Sequence, residues 1–278
     1  MGMVDRLEQN GLRAFGPRQK AAEIEASKLF AKRLMKKYVI PTADYETFNE
    51  YDKAVEYLDR IDFPTVIKAD GLALGKGVVI ASSRDEAEKA IYEMMLAEKF
   101  GQAGKRILIE EFLTGPEVSM LVFTDGKTYE PMVSSQDHKR VYDNDRGPNT
   151  GGMGAFSPSP HYTPEIAAYV EKSIIKPTIN AMRCEGRPFQ GVLYFGLILT
   201  DSGPKVLEYN ARFGDPETQV VLPRLETDLL DIMEAVVDQR LDEVKVSWSD
   251  QAAACVVLAS KGYPGSYQTG CPIEIKEK

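Results

Sequence analysis

The chain has 278 residues, of which 43% are hydrophobic and 27% charged, and its formal net charge is −8. This composition predicts a soluble globular protein in one large domain or two smaller ones. The negative charge argues against a nucleic-acid or membrane surface, and no apolar run is long enough to span a bilayer. Three widely spaced cysteines and two histidines exclude a multi-histidine zinc site and indicate reduced, cytoplasmic thiols.

Short strands and helices alternate along the chain. Residues 1–16 are predicted to form a short helix and a strand at 14–15, followed by one helix over 17–37 and a short strand that ends at Pro41. Further strands are predicted at 65–69, 78–81, 107–113, 118–124, 128–134, 192–200, 205–212 and 252–259, and helices at 85–98, 164–182 and 228–241. Residues 137–160 show no periodicity and predict a functional lid or a linker.

A glycine-rich segment, residues 68–77, has the ingredients of a phosphate-binding loop. Its glycines let backbone amides approach an anion, and Lys68 and Lys76 bring positive charge to it. It is not a Walker A loop, because Lys76 precedes a glycine and a strand pattern instead of Ser or Thr and a helix. We predict a strand–loop–strand flap that closes over phosphates. The alternative is a glycine-rich hairpin with solvated lysines.

The most informative segment is residues 206–217, where a predicted strand carries polar residues at alternate positions. Because side chains alternate between the faces of a strand, Glu208, Asn210 and Arg212 are expected to share one face. Carboxylate and amide oxygens are hard ligands that suit Mg²⁺, and a neighbouring guanidinium can hold an anion. The segment predicts a site for a metal-bound phosphate, although an ordinary half-exposed strand shows the same pattern.

Two other segments carry candidate ligand groups. The strand at 107–113 ends in acids, so its exit can pair with an adenine edge, with Glu117 accepting from ribose hydroxyls; a plain strand end is the alternative. In the aperiodic region, residues 135–140 offer a carboxylate and cations for a zwitterionic substrate, and residues 149–154 offer flexible backbone donors. A solvated polar loop is the alternative there.

Together these segments resemble the ATP-grasp superfamily and, within it, the glycinamide ribonucleotide synthetase family. The similarity runs from about residue 3 to the end of the chain. It is carried by Ser-Gln-Asp-His-Lys-Arg at 135–140, Pro-Asn-Thr-Gly-Gly-Met-Gly at 148–154 and Arg-Phe-Gly-Asp-Pro-Glu-Thr at 212–218. The resemblance implies an ATP-grasp fold of the α+β or α/β class, in which two α+β subdomains clamp ATP. It also implies an ATP-dependent ligase of purine biosynthesis that joins glycine to 5-phosphoribosylamine through a glycyl phosphate, with Mg²⁺ or Mn²⁺ as cofactor.

The resemblance also assigns roles to residues, with Glu208 and Asn210 as metal ligands. The implied ATP contacts are Lys28, Lys68, Gly71, Gly75, Lys76 and Gly77 at the phosphates, Glu110, Phe112 and Leu113 at the adenine, and Glu117 at the ribose. The implied substrate residues are Asp137, Lys139, Arg140, Asn149, Thr150, Gly151, Gly152, Arg212 and Asp215, of which Arg212, Asp137 and Lys139 are candidate catalytic residues. Which of them holds glycine and which ribose phosphate stays open.

The chain departs from the family pattern in two ways. Its strand at 192–199 lacks the second metal-binding acid of most ATP-grasp enzymes, so no ligand for a second metal is predicted. The family also carries flanking domains. Residues 1–16 are therefore expected to be the tail of an N-terminal αβ domain, 17–250 the ATP-grasp domain with a small flap subdomain at about 45–115, and 251–278 the start of a C-terminal domain. Such a central fragment is expected to bind ATP and Mg²⁺ but to ligate poorly.

Two other functions remain open at this stage: a different ATP-grasp carboxylase or ligase, and a nucleotide-binding module without catalysis. The expected partners are small molecules only, with no nucleic acid and no membrane. The oligomeric state does not follow from the sequence, and a monomer is compatible with it.

Overall fold

The computed structural model of the chain describes residues 2–71, 77–97, 99–144 and 146–275. The helices are α1 (Met3–Gln9), α2 (Gln19–Ala26), α3 (Lys28–Lys37), α4 (Tyr51–Tyr57), α5 (Arg84–Met95), α6 (Pro164–Val170), α7 (Lys176–Cys184), α8 (Thr218–Val221) and α9 (Leu229–Val237). The strands are β1 (Tyr45–Phe48), β2 (Thr65–Ala69), β3 (Val78–Ala81), β4 (Ile107–Glu111), β5 (Glu117–Asp125), β6 (Tyr129–Pro131), β7 (Gln136–Asp137), β8 (Arg140–Tyr142), β9 (Arg146–Asn149), β10 (Gly154–Ser157), β11 (Gln190–Thr200), β12 (Gly203–Asn210) and β13 (Ala253–Val256).

Two antiparallel four-stranded sheets form the framework. The smaller one has the order β1-β4-β2-β3, and it packs its apolar face against α4 and α5. The larger one has the order β12-β11-β5-β6. Its central strand β11 is buried on both faces: Leu193 and Phe195 belong to one hydrophobic core, and Val192 and Tyr194 belong to the other. This double burial explains why the strand is an almost continuous apolar run instead of an alternating one.

The helix predicted over residues 17–37 is two helices, because Ser27 interrupts it. Ser27 has an extended backbone, and its hydroxyl accepts a hydrogen bond from the backbone N–H of Phe30, as an N-cap residue does. The helix predicted over 164–182 continues through a π-turn at Glu171–Ile175 into α7. Periodicity therefore predicted the helical character of both segments but not the N-cap and the π-turn within them.

Several predicted strand boundaries are wrong. Residues 14–15 form no strand, and the short strand predicted to end at Pro41 is also missing from the described residues. Thr42 makes only an isolated bridge to Val206. The strand predicted at 128–134 is confined to Tyr129–Pro131, and the one predicted at 107–113 ends at Glu111. These short elements depend on tertiary pairing, which local sequence patterns do not record.

The aperiodic region, residues 137–160, is more regular than predicted. It contains the hairpin of β8 and β9, and β10 pairs with both β7 and β13 in a third sheet. The partner strand β13 lies about a hundred residues further along the chain, so the pairing left no local signal. Among the described residues, no helix has the length and apolarity needed to cross a membrane.

Candidate functional site

A cleft of about 610 Å³ is lined by both four-stranded sheets and by α3. Most of the residues singled out in the sequence meet there. They are Lys28, Lys68, Gly71, Gly77, Glu110, Phe112, Leu113, Glu117, Asp137, Lys139, Asn149, Thr150, Gly151, Glu208, Asn210, Arg212 and Asp215. Arg140 and Gly152 do not line the cleft. Gly75 and Lys76 lie outside the described residues, as does most of the predicted flap loop.

Glu208 and Asn210 lie at the end of β12 and line the same cleft. In the pairing of β12 with β11, Gly196 is opposite Glu208 and Leu197 is opposite Val206, which leaves Leu207 as a β-bulge. The bulge lets both Val206 and Tyr209 enter one core and leaves Glu208 exposed. Asn210 lies two residues after Glu208, beyond the bulge, so alternation places it on the face of Glu208.

Gly196 makes room for this pair of oxygen ligands. A Cβ at residue 196 would lie 3.1 Å from Cγ of Glu208, which is closer than an ordinary van der Waals contact. An exposed carboxylate and a nearby amide oxygen over a residue without a side chain fit a hard divalent cation. No three His, Cys, Asp or Glu side chains in the described ranges come together as metal ligands. A Mg²⁺ ion is commonly held by one or two protein oxygens, with water and substrate phosphates as its other ligands.

The opposite wall of the cleft carries a buried charge cluster around Glu110. Its Oε2 lies 3.1 Å from Nζ of Lys32 and 2.9 Å from Nζ of Lys68, while its Oε1 is buried and has no hydrogen-bond partner among the described residues. Lys32 also donates to Thr42 Oγ1 at 2.9 Å and to the carbonyl of Ala43 at 3.1 Å. The resemblance implies that Glu110 contacts the adenine; in the structure Glu110 lines the cleft and its side chain pairs with the two lysines.

Lys32 was not predicted as part of the site. Its side chain is 3% exposed, and this burial, only partly offset by Glu110, lowers the pKa of Lys32 from 10.5 to about 8. Burial also lowers the pKa of Lys28, whose Nζ donates to the carbonyl of Gly71 at 3.2 Å. The sequence signal for a buried lysine was its place among the apolar positions of an amphipathic helix. Ala31 and Leu34, on either side of it in the sequence, are both buried.

Asp137 and Lys139 stand at the other end of the cleft. Nζ of Lys139 lies 3.1 Å from Glu117 Oε2 and 3.8 Å from Asp137 Oδ2. Burial raises the pKa of Asp137 to about 6, against the attraction of Lys139, and the carboxylates of Glu217 and Glu117 add to the rise. Burial opposes the charge of Lys139, but the carboxylates of Glu117, Asp137 and Glu208 outweigh it and raise the pKa of Lys139.

A second buried polar group at this end was also missed. Ser119 Oγ lies 2.8 Å from the hydroxyl of Tyr194, and both bond to Oε1 of Glu217, at 2.9 and 3.0 Å. Glu217 is 3% exposed and lies within the motif at 212–218, where no role was predicted for it. The only sequence signal was an acid within the Asp-Pro-Glu-Thr run, since Ser119 and Tyr194 lie inside strands that read as core.

Three predicted substrate residues occupy different surroundings from those expected. Arg212 does not share a strand face with Glu208, because β12 ends at Asn210; it is exposed, and its Nε lies 4.0 Å from Oε1 of Glu25. Arg140 donates to the carbonyl of Gly147 within its own hairpin, at 2.6 Å. Gly152 packs a loop closely: it has φ +124°, and a Cβ there would lie 2.3 Å from Cδ of Pro216.

The fold of the chain matches solved structures across most of its length. The phosphoribosylamine–glycine ligase of Thermotoga maritima superposes with a TM-score of 0.84 at 36% identity, covering 91% of this chain and 64% of that one. The biotin carboxylase domain of Hydrogenobacter thermophilus 2-oxoglutarate carboxylase, solved with MgADP, ADP and bicarbonate, superposes with a TM-score of 0.70 at 18% identity, covering 90% of this chain and 54% of that one. The chain has the ATP-grasp fold, as the sequence predicted.

The family follows from the sequence itself. Residues 26–218 match the phosphoribosylglycinamide synthetase, ATP-grasp (A) domain family, and the chain belongs to that family. It is 53% identical over 272 residues to the phosphoribosylamine–glycine ligase of Halalkalibacterium halodurans, covering 98% of this chain and 63% of that protein. It is 51% identical over 271 residues to the same enzyme of Pasteurella multocida, again covering 63% of it. The chain therefore spans a little under two thirds of the length of these relatives.

Proposed function

We propose that the chain carries the nucleotide site of an ATP-dependent ligase that joins glycine to 5-phosphoribosylamine and yields ADP and phosphate. The observation that carries this proposal is the meeting of Lys28 and Lys68 with Glu208 and Asn210 in one cleft. This combination supplies cations for phosphates and hard oxygens for a metal on facing walls. The relatives named phosphoribosylamine–glycine ligase support the choice of substrates.

Phosphoryl transfer depends mainly on positioning and on neutralising charge, and the cleft residues suit both tasks. Lys68 is held by Glu110 and by the carbonyl of Leu207, at 3.4 Å, so its ammonium group is fixed where phosphates would lie. Lys28 adds a second ammonium at the start of α3. Glu208 and Asn210 would hold a Mg²⁺ or Mn²⁺ ion, which supplies neutralisation of phosphate charge when it is bound.

The residues at the other end of the cleft suit a zwitterionic amino acid and an amine acceptor. Lys139 offers a cation to the carboxylate of glycine, and Asp137 offers an anion to an ammonium group. Because the pKa of Asp137 is raised to about 6, its carboxylate is a suitable base near neutral pH for the proton that leaves the attacking amine. Arg212 and Asp215 lie at the open rim of the cleft and suit the ribose phosphate side.

We further propose that residues 17–250 are the ATP-grasp domain and that the small sheet of β1–β4 belongs to its flap subdomain. The function is tested by calorimetric titration of the 278-residue chain with MgATP, followed by an assay of ADP release. We expect binding of MgATP and only slow ADP release, which glycine plus 5-phosphoribosylamine stimulates and bicarbonate does not. Stimulation by bicarbonate would favour another ATP-grasp carboxylase, and binding without any ADP release would favour a non-catalytic nucleotide module for this chain.

A matched pair of variants separates the site from general effects on the fold. Glu208→Ala removes the proposed metal ligand, whereas Glu226→Ala removes a carboxylate that is also exposed but lies outside the cleft. Only Glu208→Ala is expected to weaken Mg²⁺-dependent nucleotide binding. Equal binding by both variants would contradict the assignment of Glu208.

A further inference from the structure

We propose that Asp70 is a positioning residue: its carboxylate joins the base of the phosphate loop to the start of α3 and thereby fixes Lys28 relative to Lys68. The inference rests on the proposed function, since it concerns the same nucleotide site. Asp70 directly follows β2, and its side chain is only 1% exposed. It does not line the nucleotide cleft, so it acts on that site only through other residues.

One oxygen of Asp70 holds the residues on both sides of Lys28, one through its side chain and the other through its backbone. Its Oδ1 accepts from the hydroxyl of Ser27 at 3.0 Å and from the backbone N–H of Leu29 at 3.1 Å. Ser27 is the N-cap residue of α3, and the N–H of Leu29 is among those that have no partner within the helix. A carboxylate at this position also interacts favourably with the positive end of the helix. The carboxylate therefore fixes the position of Lys28, and with it the ammonium group of that residue.

The same residue is anchored to the strand that carries the other lysine. Lys68 lies two residues before Asp70 at the end of β2, and the backbone N–H of Asp70 donates to the carbonyl of Arg106 at 3.0 Å. Lys28 in turn donates through Nζ to the carbonyl of Gly71, the residue after Asp70. Asp70 is thus the point at which the chain segments bearing both lysines are tied together.

The contacts predict an order of importance among the partners of Asp70. The guanidinium of Arg106 lies 2.8 Å from Oδ2, but its side chain is 58% exposed, so this ion pair contributes little. The two bonds to Oδ1 are buried and link separate elements. Asp70→Asn keeps an oxygen that can accept both of them, whereas Asp70→Ala removes both. Arg106→Gln removes only the exposed pair.

The test is a double-mutant cycle on nucleotide affinity, measured by calorimetric titration of the 278-residue chain with MgADP. We expect Asp70→Ala to weaken binding about tenfold, which corresponds to about 1.4 kcal/mol, and Asp70→Asn and Arg106→Gln to weaken it less than about threefold. If Asp70 acts through Lys28, the double variant Asp70→Ala/Lys28→Ala binds as weakly as Lys28→Ala alone. A general loosening of the fold would instead make the two effects multiply.

Two controls complete the test. Asp59→Ala breaks an exposed ion pair with Arg84 on the same subdomain and is expected to bind like wild type. Ser27→Ala removes one of the two donors to Asp70, together with the N-cap bond to the N–H of Phe30, and leaves the donor at Leu29, so it gives an intermediate loss of affinity even if Asp70→Ala does not fold. Wild-type affinity in both Asp70→Ala and Ser27→Ala, or fully multiplicative effects in the cycle, would overturn the inference. A wild-type chain that does not bind MgADP would instead contradict the proposed nucleotide site.

Discussion

The substitution Asp137→Asn should make the fold more stable at neutral pH and should weaken the function proposed for the cleft. The Asp137 side chain is 8% exposed, and Nζ of Lys139 is 3.8 Å from it and lies closer to Glu117. Burial therefore raises the pKa of Asp137 from its ordinary value of 3.8 to about 6. Holding an ionised carboxylate there costs folding free energy, which an amide of the same shape does not incur.

The size of the effect follows from the raised pKa. A rise of about two pKa units, at 1.36 kcal/mol each, corresponds to roughly 3 kcal/mol between the two protonation states. Because the folded pKa is above the unfolded one, the stability contributed by Asp137 is present below about pH 4 and is lost as the pH rises through about 6. Asp137→Asn should therefore stabilise the chain by roughly 2–3 kcal/mol at about pH 8 and by less than about 1 kcal/mol at about pH 4.

Urea denaturation of wild type and Asp137→Asn at both pH values measures this difference. Asp215→Asn is the matched control, because that carboxylate is exposed at the rim of the same cleft. The control is expected to leave the free energy of unfolding nearly unchanged at both pH values. Destabilisation of the chain by Asp137→Asn at the higher pH, or an effect of equal size at both pH values, would refute a burial cost at Asp137.

Three further outcomes follow from the geometry. Glu110→Gln leaves Lys32 buried without its anion, so it should lower the free energy of unfolding by about 3 kcal/mol and the melting temperature by roughly 6–12 °C. The control Glu50→Gln breaks an exposed ion pair and should lower the free energy of unfolding by less than about 1 kcal/mol. Comparable denaturation midpoints for the two variants would refute this. Gly196→Ala places a Cβ 3.1 Å from Cγ of Glu208 and should weaken Mg²⁺-dependent nucleotide binding more than metal-free binding in paired titrations; equal losses would count against the metal site. Glu217→Gln should leave MgATP affinity unchanged but reduce any stimulation of ADP release by glycine, and a loss of MgATP affinity would place Glu217 at the nucleotide instead.

The sequence predicted the family and the parts of the site that occur as contiguous motifs. The ATP-grasp fold is confirmed, and the strands at 65–69 and 78–81 have the predicted bounds. Glu208 and Asn210 do share one cleft with Lys28 and Lys68. These successes share a cause: each rests on short-range alternation or on a run of residues that is specific in itself.

The remaining features depend on contacts between distant parts of the chain. Ser27 interrupts a predicted helix, and its hydroxyl bonds to Asp70, 43 residues later. Lys32 is buried in an ion pair with Glu110, which is far along the sequence. The bulge at Leu207 exists only relative to β11, and it cannot be seen in the sequence of β12 alone. Such features are fixed by tertiary pairing, so single-sequence periodicity could not predict them.

We expect one cleft to hold the phosphates of ATP on Lys28 and Lys68 and the metal ion of ATP on Glu208 and Asn210. A crystal structure of the chain with a non-hydrolysable ATP analogue and Mg²⁺ tests it most directly. We expect one Mg²⁺ with oxygen atoms of both residues at about 2.0–2.1 Å, and phosphate oxygens within hydrogen-bond distance of Lys28 and Lys68. A nucleotide bound outside this cleft, or a metal ion that contacts neither Glu208 nor Asn210, would contradict the account.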